Sequence, residues 1–164
     1  MPKKATLAAN NVFYKARINA SSCNDRLASR EGTAEETGLD RTRIAHIELG
    51  TINPYPEEVL ILADTYNAPE LQNYFCSRLC PLGKHTVSPV ELNALEVSTL
   101  QLLAAFNRLD LPAVLNDLIE VAAYGTTDEN LPRINDILAK LDEAANKIQA
   151  LKLFFTKHYS VRTK

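Results

Sequence analysis

Apolar positions recur at spacings of three and four residues along most of the chain, and strict alternation of apolar with polar residues hardly appears. The pattern therefore predicts helices rather than sheet. Val12, Phe13, Ala16 and Ile18 suggest a first helix from Asn11 to about Ala20, with Arg17 also on it, and Ser21 to Ala28 reads as a polar link holding Cys23. A second helix is expected from Arg30 to Thr37 with Ser29 as its cap, weakened at Gly32 by about 1 kcal/mol relative to alanine. Gly38 suits the left-handed conformation that ends a helix. Asp40 then caps a third helix whose Ile44 and Ile47 face the core, while the small Ala34 lets it cross the second closely. After a turn over Gly50 to Asn53, Pro56 opens a fourth helix with Val59, Leu60, Leu62 and Ala63. Pro69 opens a short fifth, with Leu71, Tyr74, Phe75 and Leu79 on its apolar side.

Residues 1–10 read as a flexible lead with Lys3 and Lys4, residues 11–80 as the first domain and residues 81–87 as a linker. Ser88-Pro89-Val90-Glu91 has the form of a capping box with proline at the first helical position, so a new helix is expected there. Leu92, Leu95, Thr99, Leu102, Phe106 and Leu109 make a heptad stripe along it. Asp110 and Pro112 restart the chain into a shorter helix, with Val114, Leu115, Leu118, Ile119 and Ala122 on one face and a stop at Gly125. A last helix, from about Asn130 to Tyr159, repeats the stripe at Leu131, Ile134, Leu138, Leu141, Ala145, Ile148 and Phe155. Residues 88–164 thus imply a helical bundle or an antiparallel helical hairpin. A helix of about 30 residues is roughly 45 Å long and cannot be covered by one of about 20, which leaves Ile148, Leu151, Phe154 and Phe155 partly bare. Pairing of two chains would cover them, so a homodimer through these helices is expected; a closed three-helix bundle within one chain is the alternative.

With 164 residues and 46% apolar content the chain has enough for one or two small domains. No apolar run of membrane-spanning length occurs, and MPKKATLAANN lacks the apolar core of a signal peptide, so a cytoplasmic protein is expected. Three cysteines do not suggest a disulfide framework. Residues 1–87 hold ten of the 18 Lys/Arg and ten of the 20 Asp/Glu, so that half is neutral and the rest carries the net charge of −2. Neither half has the basic excess usual in nucleic-acid binders, and affinity for DNA would have to come from the local cluster Arg30, Arg41 and Arg43.

Ser29 to Pro54, SREGTAEETGLDRTRIAHIELGTINP, resembles the lambda-repressor-like (Xre) helix-turn-helix family over roughly residues 11–75. The residues that carry the resemblance are Ser29, Ala34, Gly38, Ile44-x-x-Ile47-Glu48-x-Gly50 and Asn53-Pro54. It implies an all-α fold: a five-helix helix-turn-helix domain that binds double-stranded DNA, followed by the C-terminal helices, in a bacterial or phage-type transcriptional regulator. It further implies that Glu48 pairs with an arginine of the first helix, for which Arg17 is the candidate, that Arg30 and Asn53 meet phosphate, and that the amino end of the third helix enters the major groove. Arg41, Thr42, Arg43 and His46 all fall off the Ile44/Ile47 side and would face the bases there. Thr33 and Thr37 depart from the family's usual leucines, and Leu49 from a polar residue. The competing class is a protein-interaction module of the same fold, such as a scaffold or antitoxin-like partner, that does not bind DNA; the neutral charge favours it.

Cys76 and Cys80, four positions apart, with His85 and the distant Cys23, could supply zinc ligands, but the spacing equally suits half-buried residues on adjacent helical turns. A metal-free protein without cofactor is expected. His158 reads as a helix-end residue interacting with the dipole. No glycine-rich phosphate loop, nucleophile elbow, paired-carboxylate site or HExxH motif is present, so neither an enzyme nor a small-molecule substrate is indicated.

Overall fold

The computed structural model describes residues 7–125 and 129–159, and every regular element among them is helical. The chain divides into two units, Met1–Pro89 and Val90–Lys164. No described helix is long and apolar enough to cross a membrane.

The first unit holds α1 (Val12–Ala20), α2 (Arg30–Thr37), α3 (Arg41–Leu49), α4 (Pro56–Thr65) and α5 (Glu70–Tyr74), the last running on as a π turn through Phe75–Leu79. Their ends are set by local chemistry. The Asn11 side chain accepts from the N–H groups of Phe13 and Tyr14, Ser29 Oγ from Gly32, and Asp40 Oδ1 from Thr42 and Arg43. Gly38 and Gly50 end α2 and α3 at φ of 70° and 71°, where a Cβ would be strained. Phe13, Leu27, Ile47, Val59, Leu62 and Leu71 pack into one core. Each such side chain contributes about 1.5–3 kcal/mol by leaving water.

Several expectations are corrected here. The lead is not loose throughout: residues 7–10 form a 3₁₀ turn with Ala8 fully buried, whereas Lys3 and Lys4 lie outside the described residues. Ser21 to Ala28 is not merely polar link, because a 3₁₀ turn over Asp25–Ala28 inserts Leu27 into the core. Ile18 and Leu60 face solvent, one helical position away from the buried Arg17 and Val59. Within residues 81–87, Gly83–His85 coils into a 3₁₀ turn, and Gly83 packs so closely on Cys76 that a Cβ would collide with its carbonyl.

The second unit contains α6 (Leu95–Leu109), α7 (Leu111–Tyr124) and α8 (Leu131–Tyr159). No helix begins at Ser88. Its carbonyl, which would accept an early helical hydrogen bond, instead accepts from Asn73 Nδ2 at 3.1 Å, and helical structure starts seven residues later. Arg108 bonds Glu143 and Lys147 bonds Gln101, so α6 and α8 run antiparallel. Arg133 pairs with Asp117 and Glu120, and Val114 clusters with Ile137, which extends the same antiparallel arrangement through α7. Asp110, at φ 41°, is the joint at which the arm breaks, and its side chain caps α7. The broken arm of 15 and 14 residues matches the 29 of α8. The length mismatch expected from the sequence is therefore absent: α7 extends the shorter helix instead of standing apart from it.

The two heptad stripes do not face each other. Ser98, Ala105 and Leu109 of α6 and Ile137, Ala144, Ala150 and Leu153 of α8 are the buried positions. Small residues let two backbones approach closely; of the larger stripe residues Leu109 stays in the seam, while Phe106, Leu131, Leu138, Leu141, Ile148 and Phe155 are turned aside.

Candidate nucleic-acid interface

The interior of the first unit orients α3. Ile44 and Ile47 are 1% and 2% exposed, and Glu48 beside them is 1% exposed. Glu48 accepts from Arg17 Nε at 2.5 Å and Arg17 Nη2 at 3.3 Å, while Arg17 Nη1 donates to the carbonyls of Leu27 and Ala28. A buried carboxylate between two cations, with its arginine's remaining donors satisfied, holds α1, α3 and the turn before α2 in one register. Thr33, fully buried, sends its hydroxyl to the Ser29 carbonyl at 2.8 Å, which removes the penalty of a polar side chain in a leucine-like position. Burial, together with the nearby Glu48 carboxylate, pushes the Tyr66 phenol far above its ordinary range and keeps it neutral.

The outward side of α3 carries Arg41, Thr42, His46 and Leu49, all exposed, with Ala45 between them half-buried. These fall on one contiguous face at 3.6 residues per turn. Arg43 is not on it. It sits at the edge, where Nε and Nη2 meet both oxygens of Glu58 at 2.7 and 2.9 Å, and its guanidinium lies 4.6 Å from the centre of the Tyr55 ring. Nη2 also donates to the Asn53 carbonyl at 3.3 Å. Glu58 in turn accepts from the Tyr55 N–H at 2.6 Å, so the capping box of α4 and Arg43 share one carboxylate. The Arg43 hydrogen bonds hold the Glu58 carboxyl below the usual carboxylate range, against the opposing effect of burial.

Arg30, expected at phosphate, and Arg41, expected at the bases, are likewise paired. Arg30 Nε lies 2.6 Å from Glu48, with 29% of the side chain exposed, and Arg41 Nε lies 2.5 Å from Glu31, both side chains being 61% exposed. Asp40, whose carboxyl is held low chiefly by the Arg43 N–H, places a negative charge at the amino end of α3 and offsets the helix dipole that would otherwise attract phosphate. Asn53 is exposed. The structure thus gathers Arg41, Thr42 and His46 on one face and ties Arg30 and Arg43 to the frame beneath it. Reasoning from sequence missed Glu31, Glu58 and Tyr55 as their partners; the glutamate three residues after Tyr55, ahead of an apolar run, was the available signal for the capping box.

Comparison with known proteins finds no matching family model, no similar curated protein and no similar solved structure.

The zinc alternative is not assembled. Among the described residues no group of three or more metal-ligating side chains occurs. Cys23 is exposed, Cys76 and Cys80 are half-buried free thiols, and Cys80 Sγ accepts from the Gly83 N–H at 3.4 Å.

Proposed function

We propose that the first unit is a lambda-repressor-like helix-turn-helix domain that binds duplex DNA through α3, in a transcriptional regulator that acts as a homodimer. The observation that carries this reading is the division of α3 into two sides. Ile44, Ile47 and Glu48 lock one side, which leaves Arg41, Thr42, Ala45, His46 and Leu49 together on the other. Such a face offers a guanidinium for guanine, a hydroxyl and an imidazole for other base edges, and apolar groups for a thymine methyl. Its surface ion pairs are weak enough to be exchanged for phosphate, since exposed pairs contribute only about 0–1 kcal/mol.

One observation favours the interaction-module reading instead: Arg26, Arg30, Arg41 and Arg43 each already face a carboxylate of the same unit. The two readings separate on titration of the full chain against random and selected duplexes at about 50 and 200 mM salt. DNA binding requires measurable affinity that falls steeply with salt, and Thr42→Ala with His46→Ala should remove preference for the selected site while leaving random binding intact. No salt-dependent binding at the lower salt refutes the DNA reading and leaves the interaction module.

A further inference from the structure

The hairpin of α6, α7 and α8 has two unlike flanks. One carries the polar cross-links Arg108–Glu143, Lys147–Gln101 and Arg133–Glu120. The opposite flank lies about a quarter-turn from the contact line on each helix. On α6 it presents Leu103 and Phe106, 55% and 46% exposed. On α7 it presents Leu111, Leu115, Leu118 and Ile119, between 43% and 66% exposed. On α8 it presents Leu131, Leu138, Leu141, Ile148 and Phe155, between 37% and 53% exposed. Because the arms are antiparallel, these stripes lie side by side and form one continuous apolar sheet of side chains along the hairpin.

Of the 21 large apolar side chains left exposed among the described residues, 15 belong to the second unit, so the excess is not a general property of the surface. Eleven on one flank at about half exposure present on the order of 1,000 Å². That exceeds the largest apolar patch of a typical monomer, about 300–600 Å², and meets the roughly 800 Å² per partner of a stable interface. Two packed helices form a single layer, which needs a second layer to bury its apolar side.

We propose that this flank seats the same flank of a second copy of the chain, giving a four-helix interface in which α6–α7 and α8 of each copy contribute. A self-complementary apolar face, with the charged cross-links on the far flank, is what a two-fold contact requires. Residues 88–164 hold eight basic and ten acidic side chains, so an anionic lipid surface is not the charge-matched occupant. This deepens the dimer part of the proposed function and is independent of whether α3 binds DNA.

Sedimentation equilibrium of the full chain without DNA tests it. Wild type should be a dimer at about 10 µM. Leu118→Glu and Leu138→Glu, at positions already exposed in one chain, should weaken association at least about 100-fold with unchanged far-ultraviolet circular dichroism. Leu100→Glu, 67% exposed on the side of α6 away from α8, should remain dimeric. The uncharged Leu118→Ser should act in the same direction as Leu118→Glu, which decides the matter should a glutamate disturb the helix. A monomeric wild type, whether or not it binds vesicles of anionic phospholipid, overturns the proposal. So does dimerisation untouched by Leu118→Ser and Leu138→Glu, or lost equally in Leu100→Glu.

Discussion

Glu48→Gln tests the polar centre of the first unit. The carboxylate is 1% exposed and Arg17 is 3% exposed, so neither charge can recover its hydration when the other is removed. Glutamine keeps the shape but supplies one acceptor where three arginine N–H groups converge, and its amide N–H₂ points donors at donors. Breaking a buried pair in this way costs about 3–5 kcal/mol, roughly a fifth or more of a stability of about 5–15 kcal/mol. Arg30→Ala removes the less buried partner and leaves Arg17 in place, and should cost clearly less than Glu48→Gln.

Urea unfolding followed by tyrosine fluorescence suits the measurement, since the chain has no tryptophan and Tyr14, Tyr55, Tyr66 and Tyr74 of its six tyrosines lie in the first unit. At about 1–3 kcal/mol per M of urea the midpoint should fall by at least about 1 M. Pairing Glu48→Leu with Arg17→Met should be less damaging than Glu48→Leu alone, with a coupling energy of about 2 kcal/mol or more, because the one charge left, Arg30, is 29% exposed and can turn to water. A Glu48→Gln variant within about 0.5 kcal/mol of wild type would falsify the buried-pair argument.

Gly32→Ala should lower the melting temperature although alanine is the better helix former by about 1 kcal/mol, because a Cβ there collides with the Arg26 carbonyl; a rise in thermal melts would contradict this. Glu31→Gln should release Arg41, raise duplex affinity and steepen its salt dependence by about one unit of slope; equal binding curves would show that the pair does not compete with phosphate. Glu58 and Asp40 have folded pKa values below their unfolded ones, so their stabilisation is present above the usual carboxylate range and is lost as pH falls through the folded values. Acid titration of the Glu58→Gln variant should therefore show a shallower loss of stability below about pH 4 than wild type, and superimposable profiles would exclude the Arg43–Glu58 pair as a source of acid sensitivity.

How much was legible in the sequence follows from how local each determinant is. Ser29, Gly38, Asp40 and Gly50 act within four residues of themselves, and the bounds of α2 and α3 could be read from them. The Arg43–Glu58 and Arg30–Glu48 pairs join residues 15 and 18 apart, where no spacing rule applies. The sequence thus offered Arg43 as a base reader without showing its tie to Glu58 at the α3–α4 junction. Leu27 was hidden for a related reason, being one apolar residue in a polar run with no periodicity. In the second unit, periodicity found the stripes of α6 and α8 but not their direction. A heptad count weights leucine, whereas the hairpin seam combines Leu109, Ile137 and Leu153 with Ser98, Ala105, Ala144 and Ala150, small residues that such a count passes over.

That misdirection of the stripes bears on how a neutral domain could bind DNA at all. With Arg41 and Arg43 paired to acids, one copy of α3 releases few counterions from a duplex, and its affinity alone should be low. Two copies linked by the hairpin flanks make the second contact intramolecular, so avidity can exceed either single affinity by about 10²–10⁴ without any additional basic residue, provided that the two α3 helices reach half-sites a helical turn apart. A side chain on the apolar flank, far from α3 in sequence, then controls binding through association. Leu138→Glu should lower duplex affinity of the full chain to that of a single domain and make the binding isotherm independent of protein association, while leaving site preference unchanged. Thr42→Ala should do the reverse, keeping the dimer and losing preference. Should Leu138→Glu abolish the dimer yet bind duplex as tightly as wild type, then α3 acts alone, and the internal ion pairs do not limit it.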